Sequence, residues 1–270
     1  MKDTINDRAY VVYDENDTKK FNFIDSHFAN LAKQMGAVEY QIPALIDGDI
    51  LKKCGYLNSF PHHLTIPCYV KNEKYKHVMN EQAVGIDDLR IENKFLTPSA
   101  CLHIYPCLSG KEFESKVITT KARVYRSEDR EYDGKVRLWD FSVREIVFAG
   151  NKEFVLGNLE HLKIECEKFC EKIGLPINVI ASSDHFYPTK KNLAKSRLQK
   201  QNLFKYELVT EIDGQKVSLA SFNFHDKHFS KPFQFDCNNK VTGCVGFGLE
   251  RWVTALNYYE VGLKENEYGF

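Results

Sequence analysis

The 270-residue sequence has no run of about 18 apolar residues, which excludes an ordinary membrane-spanning helix. The stretch from Met1 to Tyr13 is polar and holds no apolar core of the secretory kind, so a cytoplasmic location is expected. An excess of one charge is also missing, with 37 Lys and Arg against 37 Asp and Glu. Nothing global therefore speaks for a large nucleic-acid footprint, although a local basic patch remains open. There is no internal repeat and no low-complexity segment, which removes repeat architectures. There is no CxxC pair either: the eight cysteines are scattered over a long chain. That favours reduced thiols, one or two of them as possible metal ligands, over a disulfide framework.

What is present is ordinary globular composition, 43% hydrophobic and 27% charged. No boundary is marked, so residues 1–270 are read as one catalytic-size domain. Residues 26–35 read as a helix, with Phe28, Leu31 and Met35 at helical spacing, Ser26 as N-cap and Gly36 ending it. Residues 38–46 read as a strand whose Pro43 suggests an edge or interface position. Residues 118–128 and 136–148 alternate around the Asp133–Gly134 turn signal and predict a long antiparallel hairpin. Residues 157–173 predict an amphipathic helix with Leu159, Leu162, Cys166, Phe169, Cys170 and Ile173 on one stripe. Further strands are expected at 177–182, 204–212, 216–224 and 242–247, a basic helix at 190–202, and a helix from Leu249 to about Tyr259. The sum is α+β, a mainly antiparallel sheet flanked by helices.

Three pieces carry chemistry when read together. In VYRSED, Val124, Arg126 and Glu128 share one strand face; in the returning RLWDFSVREIVF, Trp139, Phe141, Val143 and Glu145 share another. In GCVGFGLERW a strand passes through a Gly-rich bend into a helix that begins with Glu250 and Arg251. A lone arginine in a strand is most often a surface ion-pair partner. An arginine hairpin combined with a strand–GFG–helix unit is a far more specific pattern.

VYRSED with its returning strand resembles the second signature motif of class II aminoacyl-tRNA synthetases, GFGLER resembles the third, and residues 27–46 resemble the first. CGYLNSFP (54–61) is similar to the seryl enzymes. LTPSACLHIYP (96–106), ASSDHF (181–186), KYEL (205–208), SFNFHDKHF (221–229) and TGCVGFGLER (242–251) narrow the resemblance to amino acid:carrier-protein ligases, truncated relatives of the atypical, zinc-containing seryl-tRNA synthetases. The resemblance covers most of residues 27–260.

It implies a class II synthetase-like fold, usually homodimeric, that activates a small amino acid such as glycine or alanine with ATP. Charge builds on phosphate oxygens during adenylate formation, and planar guanidinium groups stabilise it. By resemblance, Arg126 holds the α-phosphate and the attacking carboxylate, and Arg251 the γ-phosphate end. Glu128 accepts from the adenine amino group and Phe141 stacks on the ring. Mg²⁺ bridges the phosphates; Glu207 and Asp213 are the nearby carboxylates for it, and the family's own position is non-acidic here.

Cys101, Glu145 and Cys244 align with the zinc ligands of the carrier-protein ligases, leaving a fourth tetrahedral position open for the substrate amine. As residues alone, Cys101 and Cys244 read as buried apolar thiols, the usual fate of cysteine. Glu145 argues for a metal, because an ionised carboxylate on an otherwise apolar strand face needs a partner. Arg144 points to the opposite face. The pair Cys166 and Cys170 lies in an apolar helical stripe and reads as core. Cys107, Cys237, His103, His225 and His228 rank below the trio as ligands.

The acceptor is the remaining question. The seryl enzymes bind tRNA with a large N-terminal domain, and only about 25 residues precede the first expected helix, so tRNA is not the expected partner. A holo carrier protein, whose phosphopantetheine thiol would attack the adenylate, is; the alternatives are a truncated seryl-type synthetase charging tRNA or RNA and a non-catalytic paralogue acting as a regulator, against which the retained Arg126, Glu128 and Arg251 argue. Within PTKKNLAKSRLQKQ, Lys190, Lys191, Lys195, Arg197 and Lys200 form a positive stretch without an acid. Such a helical insertion at about 187–202 would steer an acidic carrier. A solvated helix face and a short RNA-binding patch are the other meanings of such a run.

Overall fold

The computed structural model describes residues 11–127, 132–235 and 239–262. Its elements in chain order are α1 (Glu15–Gln34), β1 (Val38–Glu39), β2 (Leu45–Asp47), α2 (Gly48–Lys53), α3 (Tyr56–Ser59), β3 (Cys68–Val70), α4 (Tyr75–Glu81), β4 (Leu89–Ile91), β5 (Lys94–Leu96), α5 (Ile104–Leu108), β6 (Lys116–Tyr125) and β7 (Asp140–Gly150). Then follow α6 (Lys152–Ile173), β8 (Asn178–Ala181), α7 (Lys190–Gln201), β9 (Lys205–Ile212), β10 (Gln215–Asp226), β11 (Val241–Gly248) and α8 (Leu249–Tyr258). Among the described residues, no helix is long and apolar enough to cross a membrane.

Among the described residues seven strands form the main sheet, in the order β1-β6-β7-β11-β10-β9-β8. Among the described residues only β1 runs parallel to its neighbour; the other pairs are antiparallel. The α+β architecture expected from the pattern is the one observed. The β6–β7 ladder runs in register from Lys116 opposite Ala149 to Tyr125 opposite Asp140. Its connection is longer than a tight hairpin. Asp133 still makes the turn, its Oδ1 accepting from the backbone N–H groups of Lys135, Val136 and Arg137, and Gly134 takes φ +66°.

Two expectations are corrected. Ser26 does not cap the first helix, which begins eleven residues earlier; the Asp14 side chain accepts from the Asp17 N–H. The added turns are mostly polar, so the apolar stripe that marks the helix in the sequence starts late. The strand expected over 38–46 is two strands. β1 pairs with β6, β2 pairs with β5 in a separate two-stranded sheet, and the segment around Pro43, which has no N–H to give, lies between them.

The period-2 alternation of the strands gives the sheet two different faces. One face is closed by α1, α6 and α8 around Ile146, Phe148, Val245, Phe247 and Trp252; Phe28 stacks on Phe247 with ring centroids 3.7 Å apart. On the other face Ile118, Val147 and Cys244 pack with Ile104, Tyr105 and Phe229, while Phe141 and Val143 join a smaller cluster with Val124 and Ala100. Arg144 is buried on the helical face, donating to Asp25 and Glu39 at 2.8 Å each. Burial alone would raise the Asp25 pKa, but Arg144 and Lys121 hold it below the usual carboxylate value. This network fixes α1 and β1 to the sheet. It also leaves Glu145 pointing the other way.

Candidate active site

Glu145 on β7 and Cys244 on β11 share the second sheet face, because Cys244 pairs with Val147 and Gly246 pairs with Glu145. Cys101 comes from a short helical turn, Ala100–His103, laid over that face just before α5. The two sulfurs and a Glu145 oxygen lie within 4.8 Å of one another, and all three residues are buried. Among the described residues no other trio of His, Cys, Asp or Glu is so placed.

The electrostatics fit a cation. Burial pushes the Glu145 carboxyl pKa up, against hydrogen bonds from Cys244 and Cys101 and the nearby charge of Arg126. The hydrogen bond to Cys101, burial and the Glu145 charge push the Cys244 thiol well above its ordinary value. Glu145 and Cys244, packed this tightly in low dielectric, resist losing their protons unless a positive charge joins them. Two thiols and one carboxylate form a donor set suited to zinc.

Groups around the trio position it. Ser99 Oγ is 3.3 Å from Cys101 Sγ. Asn223 Nδ2 is 3.8 Å and His225 Nε2 3.6 Å from Cys244 Sγ. His225 also faces Thr242 Oγ1 at 3.2 Å and Tyr105 Oη at 3.4 Å, and burial lowers its pKa to about 3, so the ring is neutral. The other residues considered as ligands lie elsewhere. His103 pairs with Thr97 at 2.8 Å, His228 with the Cys54 carbonyl at 3.0 Å, and Cys107 is exposed. Cys166 and Cys170 are in the core beneath α6. Cys237 and Glu128 lie outside the described residues.

Phe141 links the two motif arginines. Arg126 donates from Nε to the Pro98 carbonyl at 2.8 Å, and its guanidinium carbon stands 5.3 Å from the centre of the Phe141 ring. Phe141 and Arg251 line one cleft, together with Val136, Arg137, Leu138, Gly248 and Glu250. Arg251, in the first turn of α8, donates to the carbonyls of Val136 at 2.9 Å and Ser218 at 3.2 Å. Glu250 supports that turn from below, accepting from the Ser142 N–H and from Arg123 at 3.0 Å. Arg137 is a second guanidinium at the cleft, one that the sequence does not single out. Only its place in the RLW run, between two motif arginines in the chain, hints at it.

Beyond Cys244 the same face turns polar. Ser221 Oγ is 3.2 Å from Asn223 Oδ1. Next to them on β9, buried Lys205 pairs with Asp184 at 2.7 Å and Glu207 at 3.3 Å. Burial would raise the Asp184 pKa, but Lys205 and Gln199 hold it at about 2. Glu207 thus lies on the site face. Asp213, the other carboxylate considered for Mg²⁺, occupies the β9–β10 turn with φ +50°.

α7 is held to this region through one side. Thr189 caps it. Asn192 donates to the carbonyls of Asn58 and Tyr187, and Gln199 to Asp184. Lys195 is half-buried and donates to Ser59 Oγ at 3.0 Å. Lys190, Lys191, Arg197 and Lys200 are exposed, and so are Leu193 and Leu198.

No family model matches the chain. Among curated proteins it is 27% identical over 237 residues to amino acid–[acyl-carrier-protein] ligase 1 of Bradyrhizobium diazoefficiens, covering 83% of this chain and 72% of that protein. It is 27% identical over 245 residues to the type-2 serine–tRNA ligase of Methanocaldococcus jannaschii, covering 83% of this chain and 47% of that one. The chain thus spans about half the length of the serine–tRNA ligase it matches. Among solved structures, M. kandleri SerRS in complex with A. aeolicus tRNASec superimposes with a TM-score of 0.80 at 19% identity, over 95% of this chain and 55% of that one. Prolyl-tRNA synthetase of Cryptosporidium parvum gives a TM-score of 0.68 at 14% identity, over 95% and 48%. The fold is that of a class II aminoacyl-tRNA synthetase catalytic domain, and the two groups whose motifs the sequence resembles are the ones these comparisons return.

Proposed function

We propose that the protein is an amino acid:carrier-protein ligase that forms an aminoacyl-adenylate from ATP and a small amino acid, glycine or alanine, and passes the aminoacyl group to a phosphopantetheine thiol. The observation that carries this reading is a buried Cys–Glu–Cys trio on the sheet face that also bears Phe141, which stands against Arg126 and lines the cleft of Arg251.

The residues divide the work. Cys101, Glu145 and Cys244 would hold zinc, whose chemistry is that of a Lewis acid that takes a neutral amine as ligand and so selects substrates with a free α-amino group. Arg126, close enough to Glu145 to act on its carboxyl, would meet the substrate carboxylate and the α-phosphate, stabilising charge as the new C–O–P linkage forms and pyrophosphate leaves. Phe141 would support the adenine, with Glu128 at its edge, and Arg251 would hold the far phosphates. Arg137 lies where it can add to that charge. Mg²⁺ would accompany ATP, with Glu207 the carboxylate on the site face.

The exposed basic side of α7 supports a carrier with acidic surface near its modified serine. Lys190, Lys191, Arg197 and Lys200 would steer it, and Leu193 and Leu198 offer apolar contact. Lys195 is engaged with Ser59 and would act on the docking surface only by holding α7 in place. A homodimer is part of the proposal, since β1 leaves the sheet edge beside an exposed Val38.

A second reading keeps the site and changes the acceptor to tRNA, which the equal identity to a serine–tRNA ligase favours. The test is amino-acid-dependent ATP–pyrophosphate exchange over a panel of small amino acids, on protein of measured metal content, followed by label transfer to holo carrier protein and to tRNA in parallel. Exchange with glycine or alanine and label on the carrier are expected. Label on tRNA alone selects the second reading, and no exchange with any amino acid overturns both.

A further inference from the structure

Thr120 lies on β6 directly across from Glu145 on β7. Its face is fixed by alternation: Ile118, two residues before it, packs in the cluster that holds Cys101 and Cys244, and Val124 packs with Val143. The residue is fully buried, and among the described residues its hydroxyl has no hydrogen-bond partner. A buried hydroxyl without a partner is costly. A β-branched residue of this volume suits a strand, but valine would fill the same space without burying a polar atom. The hydroxyl therefore needs a reason that packing does not supply.

The neighbouring carboxylate supplies one. Directly opposed residues in an antiparallel pair have Cβ atoms about 5 Å apart, within reach of a threonine hydroxyl and a glutamate side chain. A Glu145 oxygen and the sulfurs of Cys101 and Cys244 lie within 4.8 Å of one another. As metal ligands both cysteines are thiolates, with no proton left to donate. A carboxylate that gives one oxygen to an ion keeps a second oxygen that must be satisfied in a buried site.

We propose that Thr120 is a positioning residue for the metal centre, its hydroxyl donating to the free oxygen of Glu145 and so orienting the carboxylate as a one-oxygen ligand. This rests on the reading of Cys101, Glu145 and Cys244 as metal ligands and adds a residue to it. Thr120 is already buried across the ladder from the acid, so little backbone has to move when the ligand set forms.

The test compares Thr120→Val and Thr120→Ser with the wild-type chain. Zinc affinity is measured by competition with a chromogenic chelator, and the d–d spectrum is recorded after loading with Co²⁺. Thr120→Val is expected to weaken zinc binding about tenfold or more and to shift the Co²⁺ bands. Thr120→Ser, which keeps the hydroxyl, is expected to stay close to wild type in both. If Thr120→Val does not fold, Thr120→Ala against Thr120→Ser, equal in the lost methyl and different in the hydroxyl, carries the same comparison. Wild-type affinity and spectrum in the variant lacking the hydroxyl overturn the role of Thr120 while leaving the metal site standing. A wild-type chain that binds neither zinc nor Co²⁺ overturns the metal reading, and this proposal with it.

Discussion

Gly246 pairs with Glu145 across the β11–β7 ladder, and a Cβ at position 246 would fall 3.0 Å from Glu145 Oε2. The glycine is thus what lets the carboxylate lie flat against the next strand and reach the two sulfurs. Gly246→Ala would displace the end of a flexible side chain and no backbone. It should keep the fold to within about 1 kcal/mol by thermal denaturation while weakening zinc binding measured by chelator competition.

The cysteines make the sharper case. Cys244→Ser replaces a soft thiolate donor by a hydroxyl that stays protonated, and the protein purified from it should contain no stoichiometric zinc by elemental analysis. Amino-acid-dependent exchange should fall with it. Exchange at the wild-type rate in a metal-free Cys244→Ser protein would remove zinc from the reaction.

Arg126→Ala should lower ATP–pyrophosphate exchange by about 10² to 10³, the usual loss of a group aimed at developing charge, with an unchanged circular dichroism spectrum. Arg251→Ala should lower exchange as well. It should also cost about 1 kcal/mol of stability, because the carbonyls of Val136 and Ser218 lose their donor.

Reversing Lys190, Lys191 and Arg197 together to Glu should slow transfer to a carrier protein and spare adenylate formation. Raising ionic strength should narrow the gap between wild type and variant, since steering by exposed charge is screened. Lys195 is left out of this set because its hydrogen bond to Ser59 makes its loss a change in how α7 is anchored. Equal losses in both half-reactions would show that α7 serves the site and not the docking.

His27 gives a pH signature away from the site. Its ring stacks on Phe169 with centroids 3.7 Å apart, and burial lowers its pKa to about 4. An unfolded histidine titrates near 6.5, so the unfolded chain binds the proton first as pH falls. His27 therefore favours the fold above about pH 6.5, and that contribution is lost as pH drops toward 4, with a slope of at most about 1.4 kcal/mol per pH unit. His27→Phe should flatten the wild-type slope of urea-unfolding free energy over that window.

Most of the second half of the chain was legible as a string. The α6 stripe from Leu159 to Ile173, the β11-to-α8 passage through GFG, and the α7 basic helix all depend on contacts near in sequence or on a single buried face, so periodicity reports them. α1 was legible only from its apolar end, because a helix turn exposed to water leaves no apolar period to read. Pro43 was read as an edge signal inside one strand, whereas the chain uses it to pass between two sheets.

The sequence by itself determined the alternation that puts Phe141, Val143 and Glu145 on one face and Arg144 on the other, and the motif residues whose resemblance pointed to adenylate chemistry. The tertiary structure alone decided that Cys101, Glu145 and Cys244 meet within 4.8 Å, that Thr120 lies buried opposite Glu145 with no hydroxyl partner among the described residues, and that Lys205, Asp184 and Glu207 extend the polar face. Strand order brings together residues more than a hundred positions apart, and no local period encodes strand order. It follows from which register buries both faces of the sheet at once, a condition only the folded chain can meet.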